Sequence, residues 1–237
     1  MNRALQQTPG PRILALVMLA SFLLCTGLPE TCGSKEPQPV SFKATDGVTL
    51  HGTLFGEGAT GVILAHMYPA DQKSWFAFGR KLAERGYLAL AFDCRGYGDS
   101  GGQKVVAEID RDLEGAYRFL RPKAEKIFLV GASMGGTAAI LVAARNQVAG
   151  VVSLSAPVAF QGLDARDASL KLGVPCLFIA AEEDGHAASA ASQFRKSCAH
   201  PEPLLLIVPG SEHGTRLFDG ASGQKVEEAI LEFLEKH

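Results

Sequence analysis

Apolar residues fall along this chain in two kinds of short run. Val40–Lys43 and Thr49–Phe55 alternate apolar with polar, the mark of strands with one buried face, suited to an antiparallel edge. Gly61–Ala65, Tyr87–Phe92, Lys126–Val130, Gly150–Leu154, Pro175–Ala180 and Pro203–Val208 are instead near-continuous aliphatic stretches, as in strands covered on both faces. Between them the spacing predicts helices over Gln72–Arg85, Val105–Leu120, Met134–Ala144, Ala188–Ser197 and Gln224–Lys236. Strands alternating with helices predict an α/β class: one mostly parallel eight-stranded sheet with helices on both faces. Ser155 to Val174 leaves room for one short helix, over Asp164–Leu172. That is a minimal cap, so any site beneath it is expected to be open and shallow.

One pentapeptide carries chemistry. Gly131-Ala132-Ser133-Met134-Gly135 fits G-x-S-x-G and joins the strand Lys126–Val130 to a helix rich in small residues. A serine on so sharp a turn is forced into a strained backbone that lifts its hydroxyl over the sheet edge. A serine hydroxyl needs a base to become a nucleophile, so a histidine and an orienting acid must follow. Glu182, Glu183 and Asp184 come just past Pro175–Ala180, and His213 comes just past Pro203–Val208. Both are strand carboxyl ends, where open parallel sheets collect their ligands. Any of the three acids fits by position; a run of acids is also an ordinary solvated loop.

These segments resemble the α/β-hydrolase superfamily over nearly the whole chain after the first forty residues. Ala180-Ala181-Glu182-Glu183-Asp184 resembles the segment of the triad acid, which favours Asp184, and Gly210-Ser211-Glu212-His213-Gly214 resembles that of the histidine. Asp93-Cys94-Arg95-Gly96-Tyr97-Gly98-Asp99-Ser100 is similar to the loop after the fourth strand in many members; Arg95 and Asp99 are expected to brace it. Ala65-His66-Met67-Tyr68-Pro69 resembles the His-Gly turn that supplies half the oxyanion hole, with Met67 where glycine is common. The chain also looks like the compact dienelactone-hydrolase-like members, although those carry cysteine where it has Ser133. The resemblance implies esterase-type acyl transfer by Ser133, His213 and Asp184. The oxyanion would be held by the backbone N–H groups of Met134 and of Tyr68 (or Met67). It implies no metal or organic cofactor and a small-molecule ester as the partner. A serine peptidase on the same fold, or a silent binding protein, is the alternative. His66 is expected to hold its loop.

Composition narrows the picture further. At 237 residues and 47% hydrophobic the chain can bury one substantial core, and a net charge of −2 gives no electrostatic footprint for nucleic acid. Arg3 and Arg12, with no acid nearby, precede the twelve-residue apolar run Ile13–Leu24. A basic start and so short a core read as an export signal over residues 1–34, or as a retained membrane anchor, followed by a linker over 35–39 and the catalytic domain over 40–237. Export exposes cysteines to oxidant. Cys94, Cys176 and Cys198 lie beyond every candidate cleavage point and Cys32 beyond some of them; three is an odd number, so at least one of the three is expected to stay free or pair outside the domain, and the sequence fixes no bridge. Asp110, Asp112 and Glu114 with Arg111 and Arg118 read as the solvated face of their helix.

Overall fold

The computed structural model describes residues 36–237; the signal or anchor segment over 1–34, with Lys35, lies outside the described residues. The two alternating segments form β1 (Gln38–Lys43) and β2 (Thr49–Phe55), paired antiparallel with Gln38 opposite Leu54. Gln38 and Pro39, expected in the linker, are therefore already in the sheet. β2 in turn runs antiparallel to β4 (Leu88–Phe92). β3 (Thr60–Ala65), β5 (Lys126–Ala132), β6 (Gly150–Leu154), β9 (Cys176–Ala181) and β10 (Leu204–Val208) complete a parallel array with β4. The sheet order is β1-β2-β4-β3-β5-β6-β9-β10. Order and strand sense fit the expected eight-stranded, mostly parallel sheet.

Period-2 alternation divides the core into two layers. Val62, Leu64, Phe128, Val130, Val152 and Ile179 point to one face, where α1 (Phe76–Glu84) and α6 (Gly223–Lys236) supply Phe78, Leu82, Val226 and Ile230. Ile63, Leu90, Leu129, Val151, Phe178 and Ala180 point to the other. There α2 (Ile109–Leu120), α3 (Met134–Ala143) and α5 (Gly185–Ser197) close the layer with Leu113, Ala138, Ile140 and Phe194. Wholly buried strands such as β4, β6 and β9 face no solvent, hence their almost entirely apolar sequence, with Ser153 the one hydroxyl among them.

The minimal cap is built differently from expectation. Ala159–Phe160 (β7) and Leu163–Asp164 (β8) make a small hairpin, and only Arg166–Ser169 (α4) is helical. Gln161 and Gly162, at φ 46° and 90°, both take positive φ, the backbone that reverses two strands in two residues. Leu163, Ala165 and Leu172 bury themselves in the α2/α3/α5 layer, which ties this short segment down on the sheet.

Candidate active site

Ser133 sits between β5 and α3 at φ 50° and ψ −117°, a backbone that non-glycine residues rarely adopt. The glycines around it explain how the turn is held. A Cβ on Gly131 would strike the Gly135 carbonyl, and a Cβ on Gly135 would strike the backbone of Ala65. One on Gly136 would come within 2.9 Å of Ala156 Cβ. Small residues thus let the start of α3 press against the ends of β3, β5 and β6. The Ser133 N–H donates to the Leu154 carbonyl at 2.8 Å, and Thr137 Oγ1 donates to the Pro157 carbonyl at 2.7 Å. Met134 opens α3, where a helix's first N–H groups have no partner within the helix.

Two strands away, Asp184 and His213 meet. His213 Nδ1 lies 2.6 Å from Asp184 Oδ2, with side chains 42% and 16% exposed. Asp184 is the N-cap residue of α5, yet its carboxylate makes no capping bond to the helix and is turned to His213 instead. Glu182 and Glu183 are exposed. Their backbone N–H groups donate to the carbonyls of Val208 and Gly210, at 2.8 and 2.9 Å. These bonds stitch the acid's turn to the histidine's. Of the three candidate acids, Asp184 is the one brought to His213. No hydrogen bond between Ser133 Oγ and His213 is made among the described residues. The histidine's turn does reach the serine's strand: a Cβ on Gly214 would stand 3.5 Å from Ala132 Cβ and 2.6 Å from Met67 Sδ.

The turn after β3 completes the rim. His66 is fully buried; its Nε2 accepts from the Cys94 N–H at 3.0 Å, which assigns the proton to Nδ1, 2.9 Å from the Met67 carbonyl. Burial pushes its pKa below the ordinary histidine value, only partly offset by the bond to Met67. Met67 occupies the usual glycine position because its side chain turns inward, beneath Gly214 and within 3.8 Å of Thr215 Oγ1. Tyr68, 46% exposed and followed by a cis bond to Pro69, faces the rings of Phe160 at 6.0 Å and Tyr97 at 6.4 Å. Sequence reasoning missed this aromatic group, since nothing in local spacing brings 68, 97 and 160 together.

Arg95 holds its loop as expected, whereas Asp99 is exposed and is itself held, through its backbone N–H, by Asp93. Asp93 accepts from the Gln72 N–H, Gln72 Nε2 and the Asp99 N–H. Arg95 bonds Asp112 through Nε at 2.9 Å and Nη2 at 2.7 Å, and also pairs with Asp46 and Glu108. Asp112 is therefore fully buried, not part of a solvated helix face. It shares the face of Ile109, Leu113 and Ala116, a spacing that could have shown it. A cleft of about 370 Å³ opens between α1, the 214–218 turn and α6, lined by Met67, Phe78, Lys81, Thr215, Phe218 and Glu227 among others. None of Ser133, Asp184 or His213 lines it.

An eight-stranded sheet of this order, with a strained serine past β5 and a histidine–acid pair past β10 and β9, defines the α/β-hydrolase fold. The family model described as serine aminopeptidase, S33, matches residues 59–169. An uncharacterized protein, YfhR of Salmonella typhi, is 30% identical over 112 residues, 43% of this chain. That match spans 38% of YfhR's own length. Among solved structures, the Pyrococcus furiosus esterase Pf2001 superimposes with a TM-score of 0.74 at 20% identity, covering 85% of this chain and 92% of that one. The α/β hydrolase GrgF from Penicillium sp. sh18 gives 0.74 at 17%, covering 86% and 99%. The chain therefore has the α/β-hydrolase fold, and its match to the serine aminopeptidase, S33, model takes in less than half of its length.

Proposed function

We propose that the protein is a serine hydrolase that cleaves carboxylic esters, or thioesters, of small acyl groups. The observation that carries this reading is the convergence of three side-chain types on one sheet edge: Ser133 in a strained turn, and Asp184 held 2.6 Å from His213 on turns that are stitched together. In this mechanism Ser133 Oγ attacks the acyl carbonyl while His213 Nε2 takes its proton. Asp184, on Nδ1, orients the ring and stabilises its charged form. The tetrahedral oxyanion is received by the N–H of Met134 and that of Tyr68 (or Met67), each such donor contributing roughly 3 kcal/mol. His213 then returns the proton to the leaving alcohol, and water repeats the sequence to release the acid. The Ser133–His213 bond need only form when substrate fills the site. The esterase named among the structural relatives supports the substrate class.

A fluorophosphonate probe is expected to label Ser133, and Ser133→Ala to lose both labelling and ester hydrolysis. Labelling elsewhere, or a fully active alanine variant, overturns the assignment. The serine-aminopeptidase family match favours one second reading, a peptidase using the same three residues; activity on peptides but on no simple ester would put it first. Export is part of the proposal, with mature protein beginning between Leu28 and Lys35. Amino-terminal sequencing from the native host tests it, and an intact Met1 in the cytosol overturns it.

A further inference from the structure

The cysteine pair at the base of the acid-bearing unit is a site the ester chemistry does not use. Cys176 is the first residue of β9 and is buried; Cys198 caps α5 and is partly exposed. Their Sγ atoms stand 2.8 Å apart. Two non-bonded heavy atoms rest at about 3.5–4.0 Å even when both are carbon, and a bonded sulfur pair at about 2.05 Å. The two sulfurs are thus already inside contact distance and within an ångström of bonding. Cys198 Sγ also lies 3.2 Å from the Leu172 carbonyl, which accepts the His200 N–H at 3.0 Å as well. Ser197 Oγ meets Ser169 Oγ at 2.8 Å beside it. The end of α5 is therefore anchored against the segment leading into β9, and the sulfurs do not approach by chance of a loose terminus.

We propose that Cys176 and Cys198 are a disulfide-forming pair that staples β9 to α5. The chain between them runs up β9, through the turn bearing Asp184, and back down α5, so the crosslink closes a ring around the element that presents the acid to His213. The oxidant is a disulfide-bearing species, such as oxidised glutathione or a thiol–disulfide oxidoreductase. The Cys198 thiolate attacks one sulfur of the oxidant, forming a mixed disulfide and releasing one thiolate. Cys176 then gives up its proton and attacks Cys198 Sγ, expelling the second. Two protein thiols and one oxidant disulfide become one protein disulfide and two free thiols. The roles follow the local chemistry. Cys198 is the partly exposed sulfur that an oxidant can reach, and the hydrogen bond between the two sulfurs lowers its thiol's pKa, while that bond and burial push Cys176 up. Cys94, wholly buried on β4's exit turn and pushed up by that burial, takes no part.

The proposal does not rest on the esterase reading, and its test does not read activity. Full-length protein is equilibrated with oxidised glutathione, blocked with a thiol alkylator, and digested with trypsin without reduction. Cleavage after Lys171, Arg195, Lys196 and Arg216 leaves Cys176 and Cys198 on separate peptides. The expected product joins residues 172–195 to 197–216, two hydrogens lighter than their sum, and falls apart on reduction. A crosslink closing a loop of this length should raise Tm by about 5–10 °C over the reduced protein. Cys198→Ser should abolish both the linked peptide and the dependence of Tm on reductant, while matching wild type in reducing buffer. Cys198 recovered as a glutathione adduct with Cys176 still alkylatable overturns the proposal, as does Cys198 linked to any other cysteine. The wild-type peptide map decides the matter even if a variant fails to fold.

Discussion

At the scale of single residues, the acid is the sharpest test, because three carboxylates crowd one turn and one of them touches His213. Asp184→Asn keeps the shape of the side chain but leaves Nδ1 without its charged acceptor. It is expected to lower kcat by roughly 10³–10⁴-fold, the loss seen when a triad acid is neutralised. Glu182→Gln and Glu183→Gln, on exposed side chains, should change kcat less than about threefold; a larger loss at Glu183 than at Asp184 would move the acid by one residue. His66 makes a second prediction, about pH. It is buried as the neutral ring, accepting from the Cys94 N–H, and its pKa in the folded protein is depressed by desolvation. The unfolded chain therefore binds a proton that the folded one refuses. Stability held above the unfolded histidine pKa, about 6.5, is lost as pH falls through it towards the folded value. Tm should drop between about pH 7.5 and 5.5, by roughly 2–4 °C for each kcal/mol lost, and the His66→Asn variant should show a shallower slope. Equal slopes in both proteins would place the acid sensitivity elsewhere.

At the scale of elements, the site depends on how closely α3 approaches the sheet. Gly135→Ala would drive a methyl into the backbone of Ala65, which cannot yield without moving α3 or β3. Gly173→Ala meets nothing within 4 Å and serves as the control. Gly135→Ala is expected to cost at least about 2 kcal/mol, by overpacking against rigid backbone, and Gly173→Ala within about 0.5 kcal/mol of zero; denaturant unfolding of both checks this. The same closeness explains what could be read in the sequence. Strands buried on both faces admit few polar residues, so β3 to β6 and β9 announced themselves within a residue or two, and β10, a half-exposed edge strand, did so through its unbroken run from Leu204 to Val208. The G-x-S-x-G turn did so because its glycines are sterically required. The hairpin at Ala159–Asp164 was not legible, since two-residue strands carry no periodicity. Nor was the early start of α5 at Gly185, because the aspartate at its N-cap is spent on His213 and its following residues give no helix signal of their own. Asp112 was misread since its partner Arg95 comes from a distant loop, although its place between Ile109 and Leu113 marked it as inward. Local physics was visible where burial or sterics acted along the chain, and hidden where a long-range partner decided.

At the scale of the whole molecule, the limit on substrate comes from what the fold leaves uncovered. Only the β7–β8 hairpin and the single turn of α4 stand between β6 and β9, and Leu163, Ala165 and Leu172 are drawn down into the core instead of rising over the site. His213 keeps 42% of its side chain in solvent, and Tyr68 stays 46% exposed beside Phe160. Enclosed methylenes contribute about 0.8 kcal/mol each, while methylenes lying on an open surface contribute little. An acyl chain should therefore gain binding over its first few carbons, where it can lie against the Tyr68–Phe160 rings, and almost nothing beyond them. On a series of p-nitrophenyl esters, kcat/KM is expected to peak between acetate and butyrate and to fall for chains of about eight carbons or more. No activation at a lipid interface should appear, because among the described residues no lid has to open. Phe160→Ala should flatten the short-chain optimum chiefly through KM, since the ring would bind ground and transition states alike. A preference for palmitate over butyrate would defeat this account. It would require an enclosed acyl groove, and a hairpin with two-residue strands has too little apolar surface to form one.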